Sequence, residues 1–288
     1  MTKFGKTAVM ALSAIAASAL ASTAVSAASL AEIQESGSIR IAVANEIPYG
    51  YIDPVSGEAM GAGPDVAKHI AEELGVTDIE WITTDFSSLI PGLQADRFDM
   101  VAAEMAIIPT RCATVIYSEP NTSYGEGLLV PAGNPKELSG YADFADNSDL
   151  KVAIMAGANQ LDMMQALGVS EGQLVTISSN ADAISTVSTG RADAYAATGL
   201  TASELAGQSD SVEVAEGFSD PVINGTEQRS WGGFVFAQGN EELRDAVNEV
   251  LAEYKQTDDW LETVSGYGFT DADTSRSFDM STAELCAE

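Results

Sequence analysis

Residues 64–103 read PDVAKHIAEELGVTDIEWITTDFSSLIPGLQADRFDMVAA, and the spacing of their apolar side chains switches repeatedly between helical and strand periods. Val66, Ile70 and Leu74 fall on one helical face behind Pro64, so residues 64–74 are predicted to be a helix. Ile79–Ile82 reads as a strand, Phe86–Ala95 as a second helix and Asp99–Ala103 as a further strand. Upstream, RIAVA at 40–44 has the look of a short buried strand. Strands alternating with helices need a mainly parallel sheet with flanking helices, which places the chain in class α/β.

Working outward, the same alternation starts again near Leu150. Lys151–Met155 is read as a strand, a helix opens at Gly157, Leu174–Ile177 is a strand, Asn180–Thr189 a helix and Asp193–Ala196 a strand. Two lobes are expected. Each run carries an Arg-x-Asp unit ahead of its last strand, Arg97-Phe98-Asp99 and Arg191-Ala192-Asp193, a weak internal echo. Gly125–Asn134 links the runs, Ser230–Ala237 reads as a return strand, and helices at 240–254 and 257–265 finish the chain, with Val247, Leu251 and Tyr254 on one face. A chain that leaves one lobe, builds a second and returns makes two crossing segments, and such a connection is a natural hinge.

The 288 residues carry 13 Lys+Arg against 43 Asp+Glu, a formal net charge of -30. Nucleic acid and anionic membrane surfaces are disfavoured as partners, because both require clustered cations. So acidic a surface suits saline surroundings, and equally a lineage with acidic composition. Lys3 and Lys6 precede an apolar, small-residue run from Thr7 to Val25, and Val25-Ser26-Ala27 supplies the small residues of a signal-peptide cleavage site. Cleavage after Ala27 is expected, giving a soluble exported chain with no lipid-bearing Cys at the cut. The alternative, a membrane anchor, is less suited to an Ala/Ser-rich run. In an exported chain two cysteines, Cys112 and Cys286, are expected to be bridged, with two buried thiols as the other reading.

Gly61–Gly75 (GAGPDVAKHIAEELG), Asp85–Asp99 (DFSSLIPGLQADRFD) and Ile108–Pro120 (IPTRCATVIYSEP), followed by Asp259-Trp260 and Gly266-Tyr267-Gly268, resemble the periplasmic solute-binding proteins of polar amino acid ABC transporters. Ala44–Tyr49 (ANEIPY) and Ala283–Cys286 (AELC) look most like the ectoine/hydroxyectoine-binding branch. The resemblance implies a two-lobed type II binding-protein fold with a two-segment hinge. Residues 1–27 would be the signal peptide, 28–127 and 231–288 the first lobe, and 128–230 the second. It also implies a periplasmic, non-catalytic, monomeric protein without cofactor that closes on a small zwitterion and delivers it to a membrane permease.

The same resemblance makes Arg111 the position that grips a ligand carboxylate, a task suited to a planar guanidinium. The departures from it narrow the ligand. Thr198 stands where ordinary amino-acid binders carry an aspartate for the ligand ammonium, Ala106 where a hydroxyl is usual, and Gly157-Ala158-Asn159 where Gly-Thr-Thr is commoner. The helix after Gly157 is expected to turn backbone N–H groups toward a carboxylate. Glu46, Tyr49 and Phe86 are then the candidates for the cationic end, since one acid and two rings suit a delocalised cation. Tyr49 and Phe86 fit equally as core aromatics, and Glu46 as one of many solvated acids. Tyr124, Gln228 and Trp231 are second-rank candidates near the hinges. His69 has no neighbouring His or Cys and reads as a packing histidine, with no metal site. No Gly-x-Ser-x-Gly, His-Glu-x-x-His or phosphate-loop pattern occurs. Two sequons, at Asn121 and Asn224, are idle in a bacterial chain. The rivals are a binder of another polar amino acid or betaine, an exported dehydratase with Glu46 as acid, and a ligand sensor docking on a receptor.

Overall fold

The computed structural model describes residues 28–287; the expected signal peptide lies outside the described residues. Two sheets organise the chain. Numbering the strands of both in chain order, the first sheet holds β1 (Ser38–Val43), β2 (Asp78–Thr83), β3 (Met100–Ala106), β4 (Val115–Tyr117) and β5 (Thr122–Tyr124). The second holds β6 (Glu126–Pro131), β7 (Val152–Met155), β8 (Leu174–Ile177), β9 (Ala194–Thr198) and β10 (Val212–Val214), and β11 (Ser230–Ala237) returns to the first. Strand order is β2-β1-β3-β11-β4 in one sheet, with β5 also on β11, and β8-β7-β9-β6-β10 in the other.

Each sheet keeps a parallel triplet, β2-β1-β3 and β8-β7-β9, from the two alternating runs. Antiparallel strands join each triplet where the chain crosses between lobes: β11 pairs with β3 and β6 with β9. The sheets are therefore mixed, because a returning strand has to enter its sheet in the opposite sense. Ile41, Val66, Ile70, Phe234, Phe236, Leu251 and Trp260 build the first lobe's core, and Leu128, Phe144, Val152, Ile154, Met164 and Ala196 the second's.

The helix expected at 64–74 runs Ala62–Glu73 behind the N-cap Gly61, which at φ 121° approaches the Tyr49 carbonyl where a Cβ would stand 2.8 Å away. The expected helix at 86–95 divides into a 3-10 turn, Phe86–Ser88, and a short helix, Leu89–Gln94. Pro91, which has no N–H to give, lies in the first turn of that helix, where it is tolerated. The helix expected to open at Gly157 begins at Gln160, since Gly157 at φ 83° turns the chain out of helical conformation. Its seven residues therefore start three positions beyond the expected anion-binding turn.

The Arg-x-Asp echo has a common structural purpose. Asp99 accepts the backbone N–H of Arg40 at 2.9 Å and its own N–H donates to the Arg40 carbonyl at 2.9 Å. Asp193 accepts from Lys151 N–H at 2.7 Å and donates back at 2.7 Å. In both lobes the aspartate ties the start of one parallel strand to its neighbour. Among the described residues no helix is long and apolar enough to cross a membrane.

Candidate ligand-binding site

The carboxyl ends of the parallel strands converge on the gap between the sheets, where open α/β sheets place their ligands. Glu46 and Tyr49 lie in the turn after β1, Phe86 in the 3-10 turn after β2, Ala106 at the end of β3, Asn159 in the turn after β7, and Thr198 at the end of β9. All six line one narrow cavity between the lobes. Arg111, on the short helix Pro109–Cys112, faces an adjoining cavity that shares Phe86, Ala158 and Asn159 with the first.

Polar contacts cross the gap. The Arg111 guanidinium donates through Nη1 to the Ala106 carbonyl at 2.8 Å and through Nη2 to the Gly157 carbonyl of the other lobe at 2.9 Å. Its carbon stands 5.5 Å from the centre of the Phe86 ring. A guanidinium has five N–H donors, so donors remain for a ligand oxygen. Thr198 caps the helix Gly199–Gly207, its Oγ1 accepting the Thr201 N–H at 3.1 Å. Tyr49 donates to the same oxygen at 2.7 Å; Thr198 donates on to Thr201 Oγ1 at 3.1 Å, and Thr201 to Glu46 Oε1 at 3.0 Å. This relay starts and ends on the first lobe and passes through the second.

Burial pushes the Glu46 carboxyl up from its ordinary pKa, against the pull of hydrogen bonds from Asn180 and Thr201 and of the Arg111 charge. Glu104, 2% exposed, is pushed up for the same reason while accepting from Asn121 Nδ2 at 2.7 Å and from the Thr122 hydroxyl. Tyr49 stacks at a tilt on Tyr124, ring centres 5.1 Å apart, giving one aromatic wall. The arrangement offers one fork of donors, several carboxyl oxygens and ring faces.

The sequence model of the bacterial extracellular solute-binding proteins, family 3, matches residues 39–270. The chain belongs to that family. A probable amino-acid ABC transporter periplasmic-binding protein, y4tE, of Sinorhizobium fredii is 53% identical over 261 residues, covering 90% of this chain and 86% of its own. Among solved structures, EhuB in complex with hydroxyectoine superposes with a TM-score of 0.80 at 32% identity, over 89% of this chain and 97% of that one. An ancestral amino acid-binding protein, AncCDT-1, a precursor of cyclohexadienyl dehydratase, follows at 0.71 and 28% identity, over 83% and 98%. The chain thus has the type II periplasmic binding-protein fold, and it is a solute-binding component of an amino-acid ABC transporter rather than an enzyme.

Within this solute-binding protein the second-rank candidates separate. Tyr124 lines the cavity, its hydroxyl donating to the Glu104 carbonyl at 2.7 Å. Gln228 instead bonds the Thr226 carbonyl at 2.9 Å and Trp231 the Arg276 carbonyl at 2.9 Å, and neither lines either cavity. His69 stacks on Tyr254 with ring centres 3.7 Å apart. Cys112 and Cys286 are joined in a disulfide, Cα atoms 5.7 Å apart. Sequence reading missed Glu104, Gln160 and Tyr195, which also line the cavity. Glu104 had a signal, being the one acid in the otherwise apolar strand MVAAEMA; the structure adds a positive φ of 46° there, which a non-glycine residue adopts rarely.

Proposed function

We propose that this solute-binding protein captures a small zwitterionic compatible solute, ectoine or hydroxyectoine, in the interlobe cavity and hands it to a membrane permease. The observation that carries the reading is the fold-wide likeness to a hydroxyectoine-bound protein combined with one arginine, buried carboxyls and aromatic rings at the same gap. In this reading Arg111 grips the carboxylate, Glu46 with Tyr49 and Phe86 meets the delocalised cation, and Ala106, Asn159 and Thr198 complete the walls. Residues 28–127 and 231–288 form one lobe and 128–230 the other, the protein acts as a monomer, and residues 1–27 direct export to the periplasm before removal.

Ligand that binds only the folded form stabilises it by RT ln(1 + [L]/Kd). Ectoine and hydroxyectoine at millimolar concentration are therefore expected to raise the melting temperature, and calorimetry to give one site per chain. A panel of amino acids and glycine betaine run alongside decides the specificity. If both ectoines leave the transition unmoved while a proteinogenic amino acid shifts it, the compatible-solute assignment is wrong and the transporter class stands.

A further inference from the structure

Behind the second-lobe wall of the cavity lies the Glu126 carboxylate, 5% exposed. Glu126 opens β6 and is the direct antiparallel partner of Thr198, so the two side chains share a face of the sheet. Its Oε2 accepts from Gln160 Nε2 at 2.7 Å and lies 3.2 Å from the Tyr141 hydroxyl, whose single proton the Gly127 carbonyl at 3.2 Å and the Ala197 carbonyl at 3.0 Å also face, and its Oε1 accepts from the Ser230 hydroxyl at 3.4 Å. Its backbone N–H donates to Asp220 Oδ1 at 2.7 Å. No described lysine or arginine forms an ion pair with it.

An ionised carboxylate only accepts hydrogen bonds. Gln160 must therefore turn its NH2 end to Glu126, and Ser230 its proton. With that proton committed, Ser230 Oγ accepts from Asn159 Nδ2 at 3.2 Å. Both amides are oriented by this chain. Gln160 and Asn159 line the cavity, and neither Gln160 Oε1 nor Asn159 Oδ1 accepts a hydrogen bond from any described group.

We propose that Glu126 is a positioning residue that sets the hydrogen-bond polarity of this wall, turning the carbonyl oxygens of Gln160 and Asn159 toward the cavity to select cations that carry N–H groups over quaternary ammonium ions. The inference rests on the cavity being the ligand site. It predicts that amidinium, guanidinium or primary ammonium groups are accepted and a trimethylammonium is refused, because a carbonyl wall with no N–H to receive is left desolvated and unpaired.

Protonation supplies a switch. Burial, with the Asp220 charge adding to it, pushes Glu126 up to about 7, against hydrogen bonds from Gln160, Tyr141 and Ser230. The titratable groups facing it are Tyr141 and Asp220, with Tyr49 and Tyr124 across the gap, while Glu227 acts on Asp220 in one sense and Arg229 and Arg276 in the other. Below that pH the carboxyl gains an O–H donor, and Gln160 is no longer obliged to face it with NH2.

Two measurements test this. In the ligand-free protein, the Gln160 side-chain amide resonances are expected to titrate with a midpoint near 7 and to lose that titration in Glu126→Gln. By calorimetry, ectoine should bind about tenfold more tightly at pH 8.5 than at 5.5, the scale of one hydrogen bond to a charged group. Glu126→Gln should remove the Glu126 share of that dependence, leaving the share of Glu46, whose carboxyl burial also pushes up, and should weaken binding at high pH, with glycine betaine gaining relative to ectoine. Because Glu126 acts on Gln160 directly and on Asn159 through Ser230, Glu126→Gln in a Gln160→Met background should cost less than Glu126→Gln does in the native protein, the Asn159 share being what is left. Amide resonances that do not respond to Glu126, or binding losses that multiply in the double variant, overturn the proposal. A clean amide titration with ectoine affinity untouched by Glu126→Gln, Gln160→Met and Arg111→Ala leaves the positioning intact and removes the cavity as the ligand site, and with it the selectivity.

Discussion

At Arg111 two roles meet in one side chain. The guanidinium bridges the Ala106 and Gly157 carbonyls across the lobes, and its remaining donors are what a carboxylate would use. Arg111→Lys keeps the charge and loses the planar fork, so it is expected to weaken zwitterion binding, and Arg111→Ala to weaken it by about 2 to 5 kcal/mol, as measured by calorimetry. A folded Arg111→Ala protein with native affinity would place the carboxylate elsewhere. Residue types in sequence carried this much because chemistry is written in them: an arginine after an Ile-Pro-Thr turn and a Thr in place of an acid. What they did not carry is partnership. Thr198 read as a missing charge, yet the structure uses its hydroxyl to cap a helix and receive Tyr49. Glu126 drew no notice in a Gly-flanked stretch, since its significance depends on the register that sets it opposite Thr198.

Whole elements were more legible than their ends. Leu174–Ile177 and Ser230–Ala237 form strands with the expected bounds, because a short apolar run between breakers has few alternatives. The helix at 199–207 was not foreseen; its apolar moment is poorly patterned along GLTASELAG, and its start depends on the Thr198 cap. The short helix Pro109–Cys112 shows how tertiary bonds fix an element that its own length cannot, since four residues close hardly one turn. Its last residue is tied to Cys286 of the helix Thr282–Leu285 region, whose Thr282 N–H also donates to Glu119 Oε2 at 2.9 Å. Lys255 adds a tether, donating to the Pro120 carbonyl at 2.6 Å and the Ser277 carbonyl at 3.0 Å. The disulfide spans 174 residues of sequence, a long closed loop. A Cys112→Ser, Cys286→Ser protein is expected to lose roughly 2 to 5 kcal/mol of stability in denaturant melts. It should also bind its ligand more weakly than wild type, because Arg111 sits one residue from the bridge. Unchanged affinity in that variant would mean that the two carbonyl contacts alone hold Arg111 in place.

On the scale of the whole molecule, the charge balance sets a response that no single contact decides. The described ion pairs join Arg40 to Asp96 and Asp99, Lys68 to Asp65, Lys136 to Asp193, Arg229 to Asp273 and Arg244 to Asp245. With 13 basic residues against 43 acids, most carboxylates have no cation to meet. Each exposed pair is worth about 0 to 1 kcal/mol and weakens in salt, whereas repulsion among the unpaired carboxylates destabilises the compact state and is screened by the same salt. The Debye length falls from about 10 Å at 0.1 M to about 3 Å at 1 M. Repulsion outnumbers attraction, so the melting temperature of the ligand-free protein is expected to rise as NaCl goes from about 0.05 to about 1 M, with KCl giving the same curve if screening is the cause. A melting temperature that falls over this range would show that the few ion pairs outweigh the many unpaired acids. A rise seen with one chloride salt and not the other would point to a bound cation rather than to screening.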